Sequence, residues 1–155
     1  MVIKIISLSL FSVLVASCSY YAEKKRVGAC SITDLPYGEV GRITVRCPDL
    51  SFTVFYDNDP DGRDAFVKKI EGEDFSRILF EKINPFTMMS ADVEMDGYAV
   101  KEVWEGDGVR LETFEFFADG GRVCYDWEEG YSLAMVRDGR KYLLLDEVWE
   151  GTECR

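Results

Sequence analysis

The chain predicts a mainly β fold of the α+β class: an antiparallel up-and-down meander, curled into a barrel or half-barrel, with one helical insert. Three observations predict it. Acidic-Gly pairs recur at short intervals through the second half: Asp96-Gly97, Asp107-Gly108, Asp119-Gly120, Glu129-Gly130 and Asp138-Gly139. Such pairs suit tight hairpin turns, because both central residues can take positive φ at little cost. Runs rich in Val, Leu, Tyr, Phe and Trp lie between them, and a stretch near residues 74–84 alone has helical spacing.

In chain order, Arg42-Ile43-Thr44-Val45-Arg46 alternates with period two, as a half-buried strand does. Pro48-Asp49 marks a turn, and Ser51 to Tyr56 alternates again with Phe52, Val54 and Tyr56 on one face, so the two runs read as a hairpin. Phe66 and Ile70 suggest a short helical turn ended by Gly72. Phe75, Ile78, Leu79 and Ile83 recur at helical spacing, with Asp74 as cap and Asn84-Pro85 as stop. Strands are then expected at Tyr98–Trp104, Val109–Phe117, Arg122–Trp127, Tyr131–Arg137 and Lys141–Trp149. Val123, Tyr125 and Trp127 share a face. Val109 and Leu111 point opposite to Phe114 and Phe116, so that strand is buried on both sides or re-phased by a bulge. Glu102–Gly106 and Glu147–Gly151 repeat the sequence Glu-Val-Trp-Glu-Gly, read as similar strand ends.

The charge balance is 18 Lys plus Arg against 29 Asp plus Glu, a formal −11, and there is no histidine. A nucleic-acid partner would require a basic footprint to neutralise phosphates, so none is expected. The missing histidine removes Ser-His-Asp and Cys-His nucleophile systems and His-ligated zinc. No P-loop, GxSxG, HExxH or dinucleotide fingerprint is present, and the many acids single out no glycosidase-type pair. The chain is read as non-enzymatic.

The N-terminal segment locates the protein. Lys4 is followed by an apolar run, Ile5 to Val15, broken only by serines, and then by Val15-Ala16-Ser17-Cys18. The run is too short to span a bilayer comfortably and suits a signal-peptide core. The last four residues resemble the lipobox of bacterial lipoproteins. That resemblance implies cleavage before Cys18, acylation of Cys18 (palmitate among the acyl chains) and attachment to a membrane of the cell envelope. Ser19, in place of Asp after the cysteine, implies the outer membrane in a Gram-negative source. Residues 1–17 are then the signal peptide, 18–29 a lipid-anchored tether and 30–155 a single β-rich domain. Membrane contact is expected at the lipidated end alone, since so acidic a chain is repelled by an anionic leaflet.

Cysteine arithmetic agrees. With Cys18 assigned to lipid, Cys30, Cys47, Cys124 and Cys154 remain, an even number for an oxidising compartment. Four cysteines admit three pairings. The expectation is Cys30–Cys47 with Cys124–Cys154, because each closes a local segment, and the lack of CxxC spacing disfavours a metal site.

Two features suggest binding. Asp57-Asn58-Asp59-Pro60-Asp61-Gly62-Arg63-Asp64 offers alternating carboxylates around a glycine, the pattern of a Ca²⁺ loop, with Asp57, Asp59, Asp61 and Asp64 as candidate ligands. Lys68 stands where an EF-hand places its bidentate Glu, and the alternative is a solvated acidic turn. The aromatics belong mostly to the core, and Trp104 or Trp149 at a strand end is expected to be partly exposed. Residues 101–155 carry 14 acids and 7 bases, a surface that steers cationic partners. The segment Cys47 to Leu111 resembles in part the membrane-bound inhibitors of c-type lysozyme. Those are small disulfide-bonded β-barrel lipoproteins with a cysteine before an early strand and a Tyr–Trp–Gly-Asp-like stretch, here Tyr98, Trp104, Gly106 and Asp107. The likeness covers under half the chain and departs in spacing, in the helical insert and in the extra C-terminal strands. Trp104, Asp107 and Trp149 are the candidate contact residues. The functional expectation is a lipid-anchored envelope protein that recognises a cationic protein, of the inhibitor or immunity type. The alternatives are a structural or assembly lipoprotein and a carboxylate-based hydrolase.

Overall fold

The structure is a computed structural model, and it describes residues 22–36, 38–59, 61–121 and 124–154. Ten strands follow one another: β1 Glu23–Val27, β2 Cys30–Leu35, β3 Val40–Arg46, β4 Ser51–Asp57, β5 Val67–Glu71, β6 Ser76–Ser90, β7 Val93–Gly106, β8 Val109–Gly120, β9 Cys124–Arg137 and β10 Arg140–Cys154. Strands β1 to β5 form one antiparallel sheet and β6 to β10 a second, each strand beside its sequence neighbours. The antiparallel meander is as expected. Both sheets are open, ending at β1 and β5 and at β6 and β10, so neither is a closed barrel.

Period-two alternation builds the first sheet. Ile43, Val45, Phe52, Val54 and Tyr56 point inward and are buried, while Arg42, Thr44, Arg46, Ser51 and Thr53 point outward. The inward set packs on Val109, Leu111, Tyr131, Leu133, Met135, Leu144 and Leu145 of the second sheet to make one shared core. The strand β8 keeps an unbroken register with both neighbours. Val109 and Leu111 therefore face the first sheet, while Phe114 and Phe116 cluster with Phe86 on the opposite face. Two-sided burial, rather than a bulge, explains the pattern of that strand.

The helical insert at residues 74–84 is absent, and no helix occurs among the described residues. Ser76–Ser90 is the edge strand β6, paired among the described residues only with β7, and Val67–Ile70 belongs to the strand β5 with Phe66 just before it. The helical spacing is produced by a bulge: the register shifts between Arg77 and Leu79, which leaves Ile78 out of phase. Pro85 falls in a second register shift, between Ile83 and Phe86. An edge position tolerates a residue with no N–H to donate. Glu23–Val27, expected within the tether, is the strand β1.

Only two of the five acidic-Gly pairs in the second half are turns. Asp107-Gly108 and Asp138-Gly139 have φ of 45° and 72°, and of 51° and 71°, the left-handed pair of a two-residue hairpin. Ala91-Asp92 makes the corresponding turn between β6 and β7. Asp96-Gly97, Asp119-Gly120 and Glu129-Gly130 lie inside strands. At Gly97 a Cβ would collide with the Phe117 carbonyl oxygen of β8, so glycine there permits backbone approach rather than reversal.

Those missed reversals make the strands of the second sheet long. They run 12 to 15 residues against 5 to 7 in the first sheet. At about 3.3 Å per residue the first sheet reaches about 20 Å and the second about 45 Å. Half of the second sheet therefore extends beyond the strands of the first. Disulfides Cys30–Cys47 and Cys124–Cys154 are both formed, the second joining directly opposed residues near the far ends of β9 and β10.

Candidate functional site

A row of residues in register, Lys82–Val100–Glu115–Tyr131–Glu147, crosses the second sheet where its cover ends. Beyond that row lie residues 83–99, 116–121, 124–130 and 148–154. They hold nine carboxylates and no lysine or arginine. Arg122 and Arg155 lie outside the described residues. The ladder sets like charges directly opposite one another, Asp96 against Asp119 and Glu128 against Glu150. Directly opposed like charges destabilise a sheet by some tenths of a kcal/mol. The acidity of this overhang therefore opposes its own folding.

Aromatic side chains are interleaved with the acids. Tyr125 and Trp149 are 39% and 37% exposed, and the Tyr125 hydroxyl donates to Asp119 Oδ2 at 2.9 Å. Trp149 meets Tyr131 edge-on with ring centres 5.3 Å apart, and Tyr131 meets Phe66 at 5.0 Å. An aromatic chain thus anchors the half-exposed Trp149 to the core. The chain itself places one cation here: the Arg63 guanidinium lies 4.4 Å from the centre of the Tyr98 ring. An aromatic face flanked by carboxylates attracts a cation through both the ring quadrupole and the charge.

The face turned away from the first sheet is concave. One groove of about 560 Å³ is lined from all five strands, with Ile83, Lys101, Phe114, Ser132, Ala134 and Leu143 among its walls. Strands in a flat sheet stand about 4.8 Å apart, so only curling brings the β6 and β10 residues to one groove. Lys141 Nζ crosses over β9 to reach Glu112 Oε2 at 2.7 Å. Further along the same face, a groove of about 350 Å³ lies between Ala91 and Met95 on one side and Asp126, Glu150 and Thr152 on the other.

Two buried acids tie the β4–β5 segment onto the second sheet. Glu102, fully buried, accepts from the Val67 N–H at 3.0 Å and from Arg77 Nη1 at 3.2 Å. Glu115, 2% exposed, accepts at Oε1 from the N–H groups of Asp61 at 2.9 Å and Gly62 at 3.1 Å. Its Oε2 has no hydrogen-bond partner among the described residues. Burial pushes the Glu115 carboxyl up to about 7, against the opposing pull of those two N–H groups, and the charges of Asp61 and Asp57 add to the rise. Burial and the charge of Asp59 likewise raise Glu129. Asp34 is raised by burial, partly offset by the Tyr56 hydroxyl it accepts at 2.9 Å. The roles of Asp34, Glu102 and Glu115 are not legible in the sequence, since their hydrogen-bond partners are 22 to 54 residues away.

The acidic loop spends its oxygens internally. Asp57 accepts from the Asp59 N–H and pairs with Lys68 at 2.6 Å, and Asp61 accepts from the N–H groups of Arg63 and Asp64. Asp64 stands 3.8 Å from Lys82, and Asp59 forms no ion pair among the described residues. Among those residues no group of three acids or cysteines is arranged to hold a metal ion. Trp104 sits near the other end of the sheet, packed against the core beneath Arg77, and Asp107 lies in the exposed β7–β8 turn. Trp149 stands several residues away, in the overhang, so the expected contact residues are not brought together. The Glu-Val-Trp-Glu-Gly copies likewise differ: one runs into the β7–β8 turn, the other lies within the overhang. Tyr125 and Trp127 share a face, while Val123 and Cys18 lie outside the described residues. The chain matches no family model, no curated protein and no solved structure.

Proposed function

We propose that this protein is a lipid-anchored protein of the cell envelope that binds a cationic protein partner without catalysis, in the manner of an inhibitor or immunity protein. The overhang carries the reading: nine carboxylates with no lysine or arginine, although two ladder positions oppose like charges. Repulsion held in the free protein is relieved when a cationic surface covers it, so the same residues that weaken the fold strengthen the complex. Half-exposed Trp149 and Tyr125 supply apolar anchors of the kind that dominate interface energetics. The acids steer the encounter over long range. Acylation at Cys18, implied by the lipobox-type segment, holds this surface at a membrane. An assembly role in the envelope is the alternative, and it requires association that survives high salt.

The test is binding by the oxidised protein of envelope extracts and of c-type lysozyme, a small cationic protein, across a salt series. The expected result is a stoichiometric complex lost at high salt and weakened by Glu128→Gln with Glu150→Gln. Binding indifferent to both salt and that substitution would overturn the proposal.

A further inference from the structure

Charge is segregated between the two sheets, and the outward face of the first sheet has the opposite character to the overhang. The strand register places Lys24 and Arg26 of β1, Arg42 and Arg46 of β3 and Lys69 of β5 on that face. Ser31, Thr33, Thr44 and Thr53 lie among them, with Thr44 and Thr53 joined through their hydroxyls at 3.1 Å. Two carboxylates share the face, and both are neutralised locally: Asp57 by Lys68, and Glu71 by Lys69. Lys24, Arg26, Arg42 and Arg46 are exposed and form no ion pair among the described residues. Four unpaired cations around a floor of hydroxyls, with Leu35 and Phe55 beside Arg42, are thus displayed by a chain of formal charge −11.

We infer that the outer face of the first sheet docks on anionic phospholipid headgroups, so that the membrane is contacted by a protein surface as well as by lipid. The inference rests on the lipid-anchored reading for its choice of anion. Cys18 stands five residues before Glu23, and five residues reach at most about 18 Å. An acylated Cys18 therefore keeps β1, and with it this face, close to the bilayer. Headgroup phosphates accept from guanidinium and ammonium groups, and hydroxyls donate to the remaining oxygens. The acids of the overhang do not cancel the attraction. They lie on the other sheet, beyond the strands that carry this face, and solvent on the membrane side screens exposed charges over a Debye length of about 8 Å. In this orientation the overhang is left free for a soluble cationic partner.

The experiment mixes the full chain, purified from membranes, with vesicles of phosphatidylcholine alone or with added phosphatidylglycerol, and reads the bound fraction by flotation. Binding to phosphatidylcholine alone reports the lipid anchor. The increment on adding phosphatidylglycerol reports the basic face. Arg42→Gln with Arg46→Gln should cut that increment roughly 25-fold, at about fivefold per cation. Lys24→Gln with Arg26→Gln should act alike from the neighbouring strand. Lys101→Gln with Arg140→Gln removes the same charge from the second sheet and should have a much smaller effect. An increment that is absent, or that falls equally with the second-sheet pair, overturns the docking face and leaves the anchor standing. A phosphatidylglycerol-dependent increment without binding to phosphatidylcholine supports the face and overturns the anchor.

Discussion

Glu115→Gln removes an ionisable group that the fold holds beneath the loop leading to β5. The glutamine mimics the protonated acid at every pH: its amide oxygen can accept from the Asp61 and Gly62 N–H groups as Oε1 does now. In the parent, the native carboxyl titrates at about 7 and the unfolded one at about 4.5. Between those values the native state holds more protons than the unfolded state, so stability falls as pH rises through the window. A difference of about 2.5 units corresponds to about 3 kcal/mol, fully present below pH 4.5 and lost above pH 7. Asp34 and Glu129 are raised as well and contribute in the same direction, but they remain in the variant. The informative quantity is therefore parent minus variant, from urea unfolding of the oxidised proteins across this range. The parent should lose about 3 kcal/mol more than the variant between the two ends. Curves that run parallel would refute the assignment of a strained, buried charge to this position.

Gly62→Ala should destabilise by roughly 2 kcal/mol in the same assay, since φ is +67° and a Cβ there meets the Tyr98 carbonyl; an unchanged midpoint would mean the loop is not seated on the second sheet. Glu128→Gln should raise stability by roughly 0.5 kcal/mol and lower affinity for a cationic partner, and a variant improved in both would contradict the account of the overhang. Cys124→Ser with Cys154→Ser opens a loop of sequence separation 30 and should cost roughly 3.5 kcal/mol, with partner binding weakened as the ends of β9 and β10 loosen; binding at parental strength would show the clasp to be irrelevant to recognition. Cys18→Ser should move the protein from the membrane pellet to the soluble fraction, and retention in the pellet would count against the lipid anchor.

Much of the fold was legible because its signals are local. Arg42–Arg46 and Ser51–Tyr56 alternate cleanly, and their hairpin is β3 and β4. The disulfide pairing follows from short separations, 17 and 30 residues. Failures came where a local signal has two physical uses. An acidic-Gly pair serves a turn at Asp107-Gly108 and close strand packing at Asp96-Gly97, and nothing within a few residues separates the two. A bulge at Ile78 reproduces the three-and-four spacing of a helix in an edge strand. The candidate site was less legible still: acidity was evident, but the expected contact residues Trp104 and Trp149 lie several positions apart along the sheet.

By itself the sequence determined the β character, the number of acids and bases, the absence of histidine and the apolar N-terminal run that leads to Cys18, because composition and period-two patterning are carried by neighbouring residues. The tertiary structure alone decided how long each strand is, and hence that half of one sheet projects beyond the strands of the other. It also decided which charges share a face. Register across a sheet is a relation between residues distant in the chain, and a one-residue slip moves every side chain to the other face. Nine carboxylates spread over 62 residues gather on the two faces of one overhang, and cations from β1 and β3 on one face of the first sheet, only once those registers are set.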